Sequence, residues 1–453
     1  MLRSSASSTL ISAMGSGLSL SHHNGDQDSL LCDVVKIKPG TRKSRRTASE
    51  QVQACEQNHI TAQAQRIIEN RIYLDNNATT QVASEVREAM MPYLGVGHGN
   101  PSSIHGIGRG AREAIEKARR QVAKLINAQP RRIIFTGGGS EADNLVLKGV
   151  TFVQPDKGNH IITTTIEHPA VLSTCKFLEK LGYKITYLEV DRYGWLSPQK
   201  LRNAITDKTI LVSIMMANNE TGTILPIKEL CAIAHEKDVL FHTDAVQAIG
   251  KISVDVQELD VDILSISGHK FHAPKGVGAL YVRKGIELEP LIHGGQQEGG
   301  LRAGTENVPA IVGLGKAAEL AMYALQDYER VKVLRDKLEE GIRKLVPDAR
   351  LNGHPKNRLP NTLNLTLPGL RGESIVIALD QHGIALSSGS ACKSGSPEPT
   401  HVLMAMGITE QDAHCSVRLS LSRYTTEEDI KETVSALAQV LEEKNTVRLI
   451  PCK

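Results

Sequence analysis

The feature that most constrains this chain is a repeated alternation of short β-branched runs with stretches of helical spacing. The runs lie at 132–136 (RIIFT), 160–165 (HIITTT), 184–190 (KITYLEV), 210–217 (ILVSIMMA), 239–243 (VLFHT), 262–267 (DILSIS) and 278–283 (GALYVR). Each is bounded by glycine or polar residues, as strands are. Between most of them apolar residues recur at three and four, as in 227–237 (IKELCAIAHEK). Strands joined by helices cannot turn straight back, so they form a mostly parallel sheet covered on both faces. The predicted class is therefore α/β, with a site outside the carboxyl ends of the strands.

A long helical pattern runs from Pro309 to about Val346. Beyond it, 361–367, 384–388 and 417–422 read as strands alternating in polarity, mixed with helices at 372–381 and 426–443. This predicts a smaller α+β domain at 331–453 after a large domain at 71–330. Residues 1–70 show no sustained periodicity and carry a basic knot at 42–46 (RKSRR), so they read as a leader or tail. The first 25 residues are Ser-rich with a single Arg3, too little charge for an import signal. A cytoplasmic protein is expected, with the mitochondrial matrix as the alternative. No run of membrane-spanning length exists, so no membrane partner is expected.

The net charge of +3 and the 3% aromatic content exclude a dedicated nucleic-acid binder. The seven cysteines form no C-x-x-C pair, which points to reduced thiols rather than a zinc cage or disulfide framework. His269 and His272 lack a third ligand nearby, so no metal is expected.

Four local patterns bear chemistry. Gly137-Gly138-Gly139-Ser140-Glu141 joins a predicted strand to a helix; it is either a tight turn or an anion cradle. Asp244 ends another run, either as a helix cap or as a carboxylate over the cleft, with Gln247 three residues on. Ser267-Gly268-His269-Lys270 ends a third, where a lysine is either a surface cation or an amine nucleophile. Cys392 sits in a run of small residues, 387–395 (SSGSACKSG), beside Lys393. An exposed thiol next to a cation favours the nucleophilic thiolate.

Together with 73–80 (YLDNNATT), 99–105 (GNPSSIH), 136–144 (TGGGSEADN), Glu167-His168, 217–222 (ANNETG), 302–307 (RAGTEN) and 388–392 (SGSAC), these patterns stand in one order and spacing. The chain resembles the pyridoxal-phosphate cysteine desulfurases of the NifS/IscS type from about Arg71 to Glu443. The resemblance implies the fold of the type I pyridoxal-phosphate transferases and the cofactor pyridoxal 5'-phosphate. It implies Lys270 as the Schiff-base lysine, Asp244 on the pyridine nitrogen, and Gln247 and Asn219 on the ring's phenolate oxygen. His168 would stack on the ring and move protons. Gly139, Ser140, Ser267 and His269 would hold the phosphate, completed by Thr305 of a second subunit of a homodimer. Arg418 and Asn100 would bind the substrate, L-cysteine, and Cys392 would take its sulfur as a persulfide, leaving alanine. The sulfur would pass to an acceptor such as an iron–sulfur scaffold. The long form of the cysteine loop, RAGTENVP and ANNETG lean toward the NifS branch. Lys393 and Ser140 depart from the family's usual residues, although serine keeps the hydroxyl. The competing expectations are a selenocysteine lyase or another class V aminotransferase-family enzyme, and an inactive iron–sulfur assembly scaffold.

Overall fold

A computed structural model describes residues 71–153, 157–388 and 399–444. The described chain enters on β1 (Ile72–Tyr73). The seven predicted runs then form one sheet: β2 (Ile133–Thr136), β3 (His160–Thr164), β4 (Lys184–Leu188), β5 (Thr209–Ser213), β6 (Leu240–Asp244), β7 (Ile263–Ser267) and β8 (Gly278–Val282). Their order is β2-β8-β7-β6-β5-β3-β4. Every pair is parallel except those of β8, which runs antiparallel to both β2 and β7. β2, β3, β5, β7 and β8 are buried along their whole length, because helices cover both faces. β4 lies at the edge and starts on the exposed Lys184, a charge suited to an unpaired strand.

The core belongs to this sheet. Phe241 of β6 is 0% exposed and sits three residues before Asp244. Phe241→Ala is expected to lower stability by about 3–5 kcal/mol, through lost burial and the cavity left behind. The check is the midpoint of denaturant unfolding, which should fall while the slope stays constant.

The helical pattern after 308 resolves into two helices, Val308–Ala324 and Asp327–Leu345, which meet at 73°. The break has a packing cause. Leu314, Ala317, Ala318 and Ala321 pack into the main core, whereas Tyr328, Val331, Leu334 and Leu338 pack into a second core. One straight helix cannot serve both. Asn307 caps the first of these helices by accepting from the Ala310 N–H at 3.2 Å, and Pro309 stands in its first turn, where its missing N–H costs nothing. No single helix among the described residues is long and apolar enough to cross a membrane.

The second core surrounds smaller sheets. β9 (Arg350–Leu351), β10 (Thr362–Thr366) and β12 (Ser416–Ser420) pair antiparallel, and β11 (Ile384–Ala385) pairs parallel with β1. Only two residues of the expected strand at 384–388 pair in this way. Polarity does alternate along β10, but exposure does not: Thr362, Asn364 and Thr366 are as buried as their apolar neighbours. Their polar atoms are satisfied inside, Asn364 Nδ2 donating to Glu220 O at 3.1 Å and Thr366 Oγ1 meeting Ser416 Oγ at 2.9 Å. The two cores interleave in sequence. Leu74 joins the second, while Val402, Leu403 and Met406 return to the first.

Candidate active site

The topology gathers the site. Two reversals at β8 return β2 to the direction of β7, so the carboxyl ends of β2, β3, β5, β6 and β7 share one edge. Gly137–Gly139, His168, Asn219, Asp244 and Lys270 each lie at or within a few residues of those ends. They line one cavity of about 560 Å³, together with Ser140, Gln247, Ser267, His269 and Arg418. Arg418 comes from the other sheet. β12 carries it there, held by an isolated bridge between Asp75 and Ser420.

At one end the cavity is shaped for an anion. Gly138 has φ +150°, and the helix Gly139–Val153 begins next to it with its N–H groups free of helical partners. A Cβ on Gly139 would stand 2.9 Å from Val246 Cγ2 and 3.3 Å from Ser267 Cβ, so only glycine leaves the cradle open. The Ser140 and Ser267 hydroxyls and the His269 ring complete that end.

At the other end charge is graded between two carboxyls. Asp244 is buried and accepts from Val246 N at 2.9 Å. Asp143, one turn into the glycine-led helix, is 1% exposed and its Oδ1 has no hydrogen-bond partner. Burial, and then the Asp244 charge, push Asp143 well above the usual carboxylate range. Burial also raises Asp244, opposed by the Val246 N–H and the Lys270 ammonium. Of the two, Asp143 is pushed up by its neighbour's charge while Asp244 is held down by Lys270, which favours the negative charge on Asp244, beside the cavity. That charge suits a protonated ring nitrogen.

His168 caps the helix Pro169–Lys180, its Nδ1 accepting from Ala170 N at 3.1 Å. The proton of the neutral ring is thus on Nε2. Burial, then Lys270 and His401, lower its pKa to about 4, so the ring is neutral at physiological pH and free to lie against an aromatic face. Lys270 Nζ donates to the carbonyls of Asn77 and Ala78, both at 2.7 Å. Arg418 is held by Asp75 Oδ1 at 2.6 Å and Asn219 O at 3.2 Å, while its buried Nε has no hydrogen-bond partner.

These features fit pyridoxal phosphate. The glycine cradle would take its phosphate, the Asp244 carboxylate would suit its ring nitrogen, the neutral His168 imidazole its ring and the Lys270 amine its aldehyde. Two predicted residues stand elsewhere. Asn100 and Thr305 are exposed and do not line this cavity of their own chain; Asn100 Oδ1 instead accepts from Ser102 N at 2.9 Å. Cys392 lies outside the described residues. The expectation of reduced thiols needs correction: Cys175 and Cys231 are free and buried, but Cys415 is disulfide-bonded. Sequence reasoning assigned no roles to Asn77, Ala78 and Thr79, which line the cavity, or to Asp143. The run YLDNNATT was the available signal for the first three.

The model of the family described as aminotransferase class-V matches residues 72–433. The chain is 52% identical over 382 residues to "Cysteine desulfurase IscS" of Methanosarcina thermophila, covering 84% of this chain and 94% of the relative. It is 52% identical over 381 residues to "Cysteine desulfurase IscS" of Dictyoglomus turgidum, covering 84% and 97%. Among solved structures it is similar to a "NifS-like protein", with TM-score 0.78 and 42% identity over 82% of this chain and 99% of that one. Another is "SspA in complex with cysteine", with TM-score 0.70 and 40% identity over 78% and 100%.

Proposed function

Because the chain belongs to the class-V aminotransferase family, and is a pyridoxal-phosphate-dependent cysteine desulfurase within it, we propose how its own residues divide the work. The observation that supports the division is the meeting of Lys270, Asp244, His168 and Arg418 around one cavity behind a glycine cradle. When bound, the cofactor supplies an electron sink that lets a proton leave the Cα of L-cysteine and weakens its C–S bond. Gly139, Ser140, Ser267 and His269 hold the phosphate. Asp244 keeps the ring nitrogen protonated, Gln247 and Asn219 hold the ring oxygen, and His168 covers the ring. Lys270 anchors the cofactor. Its free amine would take the Cα proton as a base. Arg418 binds the substrate carboxylate through guanidinium positions that Asp75 and Asn219 leave open.

Cys392 takes the sulfur. Its thiolate forms an S–S bond to the substrate sulfur as the C–S bond breaks, and a proton delivered to the carbon completes alanine. Residues 71–330 thus form the cofactor-binding part, and 331–453 carry the cysteine loop. The persulfide on Cys392 passes to an acceptor protein, such as an iron–sulfur scaffold, in the cytoplasm. Incubation with L-cysteine should yield alanine and, with a reductant, equimolar sulfide. A much faster rate on selenocysteine, with little on cysteine, would favour a lyase instead.

The working unit in this reading is a homodimer. Thr305 is exposed, away from its own cavity, and is available to a neighbour's phosphate site. Leu94, Val96 and Ile104 are also exposed, at 64%, 86% and 90%, which is apolar area that a second copy would cover. Sedimentation at assay concentration should give a dimer. Thr305→Ala should weaken cofactor retention by about tenfold, as expected for one hydrogen bond to a charged group. A fully active monomer would contradict the assembly.

A further inference from the structure

Lys251 is 2% exposed, and none of the ion pairs among the described residues includes it. Its Nζ donates to the backbone carbonyl of Gln247 at 3.0 Å and to Gln247 Oε1 at 2.8 Å. Gly250, at φ +75°, makes the turn that folds Lys251 back beneath Gln247; a Cβ there would meet Phe271 Cβ at 2.9 Å. Burial, then the charges of Lys270 and Arg418, hold the Lys251 ammonium well below its usual range. Burying an amine opposite two cations is a cost to the fold, whether it is met as an unpaired charge or as a lost proton, and an apolar chain of the same length would remove that cost. Packing therefore does not account for a lysine here.

The geometry of Gln247 does. Because Lys251 donates to Oε1, the amide nitrogen must occupy the other side. There, Nε2 donates to Asn77 O at 2.9 Å. A carbonyl oxygen cannot donate, so the flipped amide would set two oxygens against each other. The Asn77 carbonyl thus demands this orientation and the Lys251 donor reinforces it, and the second N–H of Nε2 is left for the cavity that Gln247 lines. Gln247 shows the cavity a donor and no lone pair.

We propose that Lys251 is a positioning residue that locks the Gln247 amide, so that an N–H always faces the cofactor's ring oxygen and keeps that oxygen ionised. The proposal rests on the reading of Gln247 as the ring-oxygen partner. Lys251 itself touches neither substrate nor cofactor.

The test uses holoenzyme at one neutral pH. The form with an ionised ring oxygen absorbs in the visible, and the form with a protonated ring oxygen absorbs in the near ultraviolet. Lys251→Met should lower the ratio of visible to near-ultraviolet absorbance by about fivefold, the equivalent of one hydrogen bond of about 1 kcal/mol. Cofactor content should be unchanged, since the cradle and Lys270 are intact. Gln247→Ala should shift the ratio at least as far, and adding Lys251→Met to it should change nothing more. Lys251→Gln, which keeps a donor near the same oxygens, should recover part of the visible band and provides the reading if the methionine variant does not fold. A wild-type ratio in Lys251→Met, with a shift in Gln247→Ala, overturns the role of Lys251 alone. A wild-type ratio in Gln247→Ala overturns the reading of Gln247 beneath it.

Discussion

Lys270→Ala is expected to abolish alanine formation, a loss of at least about 10³-fold, because in the proposed division of work one side chain both anchors the cofactor covalently and serves as the base at Cα. Little else should change. Asp244 keeps its hydrogen bond from Val246 N, the glycine cradle does not depend on the lysine, and the His168 cap is made to Ala170 N. The variant should therefore fold, with an unfolding midpoint close to that of the wild type, and bind pyridoxal phosphate reversibly. Dialysis should remove the cofactor from the variant but not from the wild type. Borohydride reduction should fix it only to the wild type, at a peptide containing Lys270. One further consequence follows from the charges. Lys270 opposes the protonation of Asp244 and lowers the pKa of His168. Its removal should raise both, and the His168 ring resonances should titrate at higher pH in the variant. Near-normal turnover without an added amine would sink the assignment.

The main sheet was legible because its strands are buried on both faces. A strand in that position shows as a continuous β-branched run, and all of the main-sheet runs were found within a few residues of their ends. β1 and β11 were not legible as a pair: two residues on each side carry no periodicity, and the pairing joins segments about 310 residues apart. The bend between Ala324 and Asp327 was hidden for a related reason. Both helices keep helical spacing, neither glycine nor proline marks the break, and only the change of packing partner distinguishes them. The site divides along the same line. Lys270, Asp244 and the glycine run announce themselves at strand ends, where chemistry in this architecture is found. Asp143 looks like any polar residue in a helix, because its perturbed charge comes first from burial and then from Asp244 and Glu167, all set by packing between segments remote in sequence. Lys251 reads as a surface lysine until its four-residue spacing from Gln247 is seen to bring it under that amide.

Cys392→Ser should separate the two halves of the reaction. Lys270 and the cofactor site are untouched by it, so L-cysteine should still bind and its Cα hydrogen should still exchange with solvent deuterium near the wild-type rate. Sulfide and alanine formation should fall by at least about 10²-fold. Serine's hydroxyl has a pKa far above the value of about 8.5 for a free thiol, and its oxygen makes a poor acceptor for sulfur, so no S–S bond can form as the C–S bond breaks. Mass spectrometry of the wild type after L-cysteine should show one extra sulfur on the peptide containing Cys392, and the variant should show none. The other described cysteines offer no substitute. Burial pushes the thiols of Cys175 and Cys231 up to about 12, so neither supplies a thiolate at neutral pH, and Cys415 is 1% exposed. Sulfide release near the wild-type rate from Cys392→Ser would therefore move the nucleophile to Cys32, Cys55 or Cys452. It would also remove the reason for reading the run around Cys392 as the sulfur-carrying loop.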